Sequence, residues 1–159
     1  MNAWTRSMAL GLLVFAGSLL ALPAEDQTPE PAQINLTLYH IQGSKTDKPV
    51  IAEAIQFLKK IFAAFPQFNS FALLDSPSAV LTKTGPQNFN TGKFTTTVTL
   101  KSFTLARDTA DHMVWKADLK IDCTLDGAVI HSPTVRIEPG GQHTWERDGH
   151  IFVLQSVVK

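Results

Sequence analysis

Residues 113–125, MVWKADLKIDCTL, carry the clearest strand pattern of the sequence. Apolar and polar side chains alternate along this stretch, which is the period of a β-strand with one face buried and the other in water. The face predicted to be buried carries Trp115, Ala117, Leu119, Ile121, Cys123 and Leu125. A strand that needs a core on one side only is typical of an antiparallel sheet.

The turn after this strand decides which residue lies opposite Cys123. Asp126 and Gly127 favour a tight hairpin. A two-residue loop would turn two apolar residues of the next strand toward water, whereas a three-residue loop keeps the apolar residues on one face. We therefore predict the longer loop, which pairs Cys123 with His131. The same register pairs Leu125 with Val129, Ile121 with Pro133 and Leu119 with Val135.

Alternation and turn residues predict further strands before and after this one. They span residues 34–41, 71–74, 79–82, 93–105, 129–138, 142–147 and 150–158, with a polar loop at 84–92. A change of apolar phase predicts a bulge near Ser102. The last strand is apolar on both faces, so we expect it inside a sheet rather than at an edge.

Two more turns are specified by their residues. Pro139 and Gly140 suit the centre of a type II turn. Asp148 and Gly149 suit a two-residue hairpin loop. That hairpin would pair Trp145 with Phe152 and His143 with Leu154.

One segment has helical spacing. In residues 49–65 apolar side chains recur every three or four positions, Asp47 can cap the start, and Pro66 ends the pattern. Together with the strands, this helix predicts an α+β fold: an antiparallel β-meander with one amphipathic helix packed on a sheet face.

The first 24 residues have the layout of a signal peptide. Arg6 precedes an uncharged run at 8–22, and Ala24 stands before two acidic residues. The run is shorter than the roughly 20 residues of a membrane-spanning helix, so we predict cleavage after Ala24, with cleavage after Ala21 or retention as an anchor as alternatives. Residues 25–33 would form a flexible leader, and residues 34–159 a single α+β domain. We expect a bacterial protein, exported to the periplasm or outside the cell, without stable membrane insertion after cleavage.

Composition excludes several classes of function. The chain has 14 basic and 14 acidic side chains, so no net positive charge draws it to nucleic acid. Cys123 is the single cysteine, which excludes an internal disulfide framework and a cysteine-rich zinc site. The sequence contains none of the motifs for phosphate loops, serine-hydrolase elbows or zinc-protease helices, so we predict no cofactor.

Two groups of side chains are candidates for chemistry. Cys123 and His131, paired across the ladder, could form a nucleophile with its base or half of a metal site. His143 and Glu146 could be metal ligands. The simpler interpretation makes Cys123 an inert core thiol and residues 142–150 a polar hairpin. We favour it, and the sequence therefore predicts neither a catalytic site nor a metal site.

The end of the chain resembles a known kind of domain. Gly140 and Gly141, followed by DGHIFVL at residues 148–154, resemble short exported bacterial domains of uncharacterised function. The resemblance covers residues 58–158 as a helix, a Phe-x-Leu-Leu strand at 71–74 and a meander. It implies an accessory part of envelope machinery rather than an enzyme, and it brings no catalytic or binding residues with it.

Three functions follow from these observations. The leading hypothesis is an exported non-catalytic module that binds a protein partner or assists assembly of a cell-envelope complex, through an unpaired strand edge or the loop at 84–92. One alternative is a hydrolase or metal-dependent enzyme that uses the candidate residues above. The other is a secreted small-molecule carrier with an apolar pocket. We favour the non-enzyme because the sequence contains no catalytic constellation.

Overall fold

The computed structural model describes residues 33–107 and 113–157. The predicted signal peptide, most of the predicted leader and Val158 of the last predicted strand lie outside the described residues. The described strands are β1 (Ile34–Ser44), β2 (Ser70–Asp75), β3 (Ser78–Leu81), β4 (Gln87–Thr91), β5 (Phe94–Arg107), β6 (Met113–Leu125), β7 (Ala128–His131), β8 (Thr134–Ile137), β9 (Gln142–Arg147) and β10 (His150–Val157). A 3-10 helix (Glu53–Leu58) runs directly into a one-turn helix α1 (Lys59–Phe62).

The strands form two five-stranded antiparallel sheets. In the first sheet β1 and β10 lie at the centre, β9 flanks β10, and β2 and β3 both pair with β1. In the second sheet the long strands β5 and β6 lie at the centre, β4 flanks β5, and β7 and β8 both pair with β6. The predicted position of the last strand is confirmed, because β10 has a neighbour on each side.

The two sheets share one hydrophobic core. Buried side chains from the first sheet, including Leu38 and Phe152, belong to the same cluster as Phe89, Leu119 and Ile121 of the second. Because this cluster joins the inner faces of both sheets, the architecture is a two-layer β-sandwich. The predicted predominance of antiparallel strands is confirmed, but a single meander describes only the second sheet. The first sheet depends on the distant pairing of β1 with β10.

The predicted helix at 49–65 is wrong in length and largely wrong in type. Residues before Glu53 bond to β2 instead: the amide of Ala52 donates to Phe71 O, and the amide of Phe71 donates to Val50 O. Because of these hydrogen bonds, the chain is extended up to Ala52. Ala52, not Asp47, occupies the N-cap position of the helical segment, and no side chain caps it. Ile55, Leu58 and Phe62 of the helical segment form a second cluster with side chains on the outer face of the first sheet, among them Ile41, Phe71, Ile151 and Val153.

Several predicted registers are confirmed. Trp145 lies opposite Phe152, and His143 lies opposite Leu154. The β5–β6 ladder shifts register between Leu100 and Ser102, where the bulge is predicted. Gly140 has a φ of 72°, and the amide of Gly141 donates to Glu138 O, as a type II turn requires.

The turn at Asp126 and Gly127 corrects the prediction. Leu125 pairs with Ala128, not Val129, so the loop has two residues, and both have positive φ. A bulge between Cys123 and Thr124 then restores the register that pairs Cys123 with His131. The extra residue, Ile130, lies in β7 rather than in the loop. The chain can therefore form a two-residue turn and still keep its apolar residues on one face.

The polar stretch at 84–92 is also not a loop throughout, since residues 87–91 form β4. Phe89 is buried in the sandwich core, and the side chains of Asn88 and Asn90 accept hydrogen bonds from Thr97 and Thr95 of β5. These contacts explain why a polar sequence forms an edge strand here. In the described part of the chain, no helix has the length and apolar character needed to cross a membrane.

Candidate functional site

Cys123 lies in the sandwich core with its side chain fully buried. Burial raises the pKa of the thiol. Thr96 Oγ1 and Trp145 Nε1 lie near the sulfur and oppose this shift, although neither makes a hydrogen bond of full geometry with the described residues. A protonated, enclosed thiol is a poor nucleophile.

His131 meets a partner from the other sheet. Its Nε2 lies 3.1 Å from Nε2 of His143, and both rings stack on the indole of Trp145, at centroid distances of 5.0 and 5.7 Å. Burial and then the neighbouring His143 lower the pKa of His131, and burial lowers the pKa of His143. The two rings are therefore neutral near pH 7, and one nitrogen donates to the other.

Glu146 does not join His143. Its Oε1 accepts a hydrogen bond from the amide of Gly149, at 2.8 Å, across the hairpin turn. His143 and Glu146 also have opposite parity on β9, so their side chains leave opposite faces of the strand. Within residues 33–107 and 113–157, no three histidine, cysteine, aspartate or glutamate side chains are grouped closely enough to hold a metal ion.

A second histidine pair lies between β1 and β10. Nε2 of His40 on β1 lies 2.9 Å from Nδ1 of His150 on β10, and the His40 ring stacks on Phe152 at 4.6 Å. His40 is only 4% exposed. Burial lowers the pKa of His40 to about 4, with His150 adding to the shift and Asp75 opposing it.

This second pair borders a cavity of about 490 Å³. The cavity lies where the β4–β5, β6–β7 and β9–β10 turns meet, and it is lined mainly by apolar surface. Its lining residues include His40, His150, Thr91, Phe94 and Leu125. A volume in this range suits a small organic molecule.

The candidate residues predicted from the sequence do not include His40, His150 or Thr91. His40 and His150 are 110 residues apart, and their meeting depends on the β1–β10 register. One signal was available: His40 continues the inward-facing series of Leu36 and Leu38 on its strand, where a histidine needs a polar partner.

The outer edge of β5 is a different kind of feature. β4 pairs only with residues 94–98, so from Thr99 onward β5 has no strand on that side among the described residues. The amide of Ile121 on β6 donates away from β5, to Pro133 O. The direction of the backbone N–H and C=O groups alternates from residue to residue along an antiparallel strand. The N–H and C=O groups of Ala117 and Trp115 therefore also point away from β5. Those of their partners, Phe103 and Leu105, point toward the free side of β5.

Apolar side chains accompany this free backbone. Leu105 is 56% exposed, and the Phe103 ring stacks on Trp115 with centroids 6.2 Å apart. The ribbon of β5 and β6 therefore offers both unpaired backbone groups and partly uncovered apolar surface at one place.

No family model matches the chain, and neither a curated protein nor a solved structure matches it.

Proposed function

We propose that this protein is an exported, non-catalytic module that binds a protein partner, by adding an extended segment of that partner to the free edge of β5. The observation that carries the proposal is the edge beyond Val98, where the backbone of Phe103 and Leu105 faces outward. Strand addition of this kind takes its affinity from main-chain hydrogen bonds and its specificity from alternate side-chain positions.

The side chains at the edge favour an apolar partner segment. Leu105 is exposed next to the stacked rings of Phe103 and Trp115, so a partner strand with apolar alternate residues would cover this surface. Assembly of a cell-envelope complex is the setting we propose, in keeping with the signal-peptide pattern of residues 1–24 and the resemblance to envelope accessory domains.

Enzymatic alternatives have weaker support. The thiol of Cys123 is enclosed and its pKa is raised, and Glu146 bonds to a backbone amide rather than approaching His143. Neither of the two candidate groups therefore offers an accessible nucleophile or a set of metal ligands.

The test uses the mature chain, starting at Glu25, as bait in envelope extracts of the producing cell. The variant Leu105→Pro removes one outward N–H, while the control Leu105→Val keeps both that N–H and an apolar side chain and suits a strand equally well. We expect the control to capture the same partner as the wild type and the proline variant to lose it. Capture by the proline variant at the wild-type level would overturn the proposal.

Hydrogen exchange supplies the second measurement. In the free protein the amides of Phe103 and Leu105 should exchange quickly, and the bound partner should protect them. Pairing of two copies through the same edge would give a dimer in light scattering without any partner, and that outcome would contradict a partner-binding module.

A further inference from the structure

His131 and His143 face each other from different sheets. Their Nε2 atoms are 3.1 Å apart, the ring centroids are 5.4 Å apart, and the ring planes differ by only 20°. These three values require that each Nε2 lies on the side of its ring nearest the other ring. The in-plane bonding directions of the two nitrogens are therefore opposed along one line, so the pair presents two nitrogen ligands head to head.

This arrangement suits an ion that takes two ligands in line. Two bonds of about 2 Å to one ion place opposed nitrogens about 4 Å apart, so these two must separate by roughly 0.9 Å from their present 3.1 Å. Because β7 and β9 belong to different sheets, side-chain rotation can supply this change without breaking a backbone ladder. An ion held at a tetrahedral or square angle would instead require each ring to turn by about 40° off that line.

The number of ligands points to the same kind of ion. Within residues 33–107 and 113–157, no histidine, cysteine, aspartate or glutamate completes a group of three with this pair. Zn²⁺ in structural sites takes four ligands, and Ca²⁺ and Mg²⁺ take oxygen ligands. The monovalent ions Cu⁺ and Ag⁺ accept two ligands in line, and imidazole is a good ligand for copper. Ligand count and direction therefore select a soft monovalent cation.

The surroundings allow such an ion to bind near neutral pH. Burial lowers the pKa of both His131 and His143, so protons compete weakly for their ring nitrogens. Each neutral imidazole keeps its one proton on Nδ1 while Nε2 binds the ion. Both rings stack on Trp145, so an ion between them lies within the roughly 6 Å at which an aromatic face attracts a cation. Lys120 is the nearby cation that acts on His131, and its charge is offset by Asp122, 3.4 Å away.

We propose that His131 and His143 bind one soft monovalent cation, Cu⁺ or its analogue Ag⁺, in line between their Nε2 atoms and against the face of Trp145. Both histidines are partly exposed on edge strands of the sandwich, which gives the ion a route from solvent. This site is separate from the β5 edge, and it stands or falls independently of the partner proposed there.

The experiment titrates the mature chain, starting at Glu25, with silver nitrate in chloride-free buffer at pH 7. The protein carries Cys123→Ala, which excludes binding by the thiol. Calorimetry gives the stoichiometry and affinity, and NMR of the histidine ring nitrogens gives the location. We expect one bound Ag⁺ per chain, with shifts at Nε2 of His131 and His143, and much weaker binding of zinc sulfate. Silver that shifts neither ring, or zinc bound as tightly as silver, would overturn the proposal.

Variants of the two histidine pairs supply the matched control. His131→Gln and His143→Gln should each lose the silver site. His40→Gln disrupts the other pair, in which His40 is enclosed and lies on a strand paired directly with that of His150, and it should bind silver like the parent. Circular dichroism reports whether each variant is folded, and the ring-nitrogen shifts of the folded parent decide the location in any case. Undiminished binding in His131→Gln and His143→Gln, or loss of the site in His40→Gln alone, would exclude the proposed pair.

Discussion

The two histidine pairs have nearly the same nitrogen contact, 2.9 and 3.1 Å, but opposite surroundings. His131 and His143 are half-buried and stack on Trp145 close to the enclosed thiol of Cys123. His40 and His150 border a cavity of about 490 Å³ where three hairpin turns meet. The two pairs therefore differ in the open space beside them rather than in their own nitrogen contact.

The largest effect should come from removing the ring that links the two pairs. Phe152 stacks on His40 at 4.6 Å and on Trp145 at 5.2 Å, and it is fully buried. We expect Phe152→Ala to lower the free energy of unfolding by about 4 kcal/mol, measured by urea denaturation. Val129→Ala, at a position 63% exposed, is the control and should change it by less than about 0.5 kcal/mol. A loss near 1 kcal/mol for Phe152→Ala would show that the pairs are independent of this ring.

The second largest effect should be a loss of unfolding free energy at acidic pH, to which the histidines of the two pairs contribute unequally. Below pH 6.5 an unfolded histidine takes up a proton, which folded His40 does not accept until about pH 4. The contribution of His40 to the free energy of unfolding is therefore complete above pH 6.5 and is lost as the pH falls toward 4, by about 3 kcal/mol. His131 and His143 act in the same direction, since their pKa values are also lowered.

The variant His40→Gln sharpens this measurement. It should remove most of the slope of unfolding free energy against pH between 6.5 and 4, whereas His143→Gln should remove a smaller part. Urea denaturation at several pH values is the assay. Equal slopes in the wild type and His40→Gln would contradict the assignment to His40.

A smaller effect is expected beside the second pair. Cys123→Ala removes a fully buried side chain and should cost about 1 kcal/mol of unfolding free energy. In the wild type a thiol reagent near neutral pH should react slowly with the folded protein and quickly after denaturation. Equal rates in the two states would revive Cys123 and His131 as a reactive pair.

The smallest effect should have the opposite sign. Thr91→Val replaces an unpartnered hydroxyl with a methyl group and should raise the free energy of unfolding by about 0.5 kcal/mol. Thr96→Val should give no gain, because its hydroxyl lies next to the Cys123 thiol. Thermal unfolding of both variants under the same conditions provides the comparison, and a loss of stability in Thr91→Val would indicate a partner for that hydroxyl in the free protein.

Local patterns were sufficient for much of the strand pairing. Turn residues such as Asp148 and Gly149 define a hairpin by their backbone preferences, and alternation then fixes which side chains share a face. The same reasoning predicts the pairing of Cys123 with His131, which is confirmed, although the extra residue lies in a bulge rather than in the loop.

The remaining features depend on contacts between distant parts of the chain. The helical spacing at 49–65 does not show that the backbone of Val50 and Ala52 forms hydrogen bonds with Phe71. Alternation along β7 and β9 places His131 and His143 on inner faces but does not say that the two sheets face each other. The cavity likewise depends on three turns whose meeting is a property of the whole sandwich.

The pairing of β1 with β10 has a consequence for the order of folding. The second sheet is built mainly from neighbours in sequence, whereas the centre of the first sheet joins residues 35–42 to residues 150–157. Closing so long a loop costs entropy before any contact repays it, so local hairpins of β4 to β8 should form first and the first sheet last. In pulse-labelling hydrogen exchange during refolding, amides of β5 and β6 should gain protection before those of β1 and β10, which makes the final strand the step that closes the core.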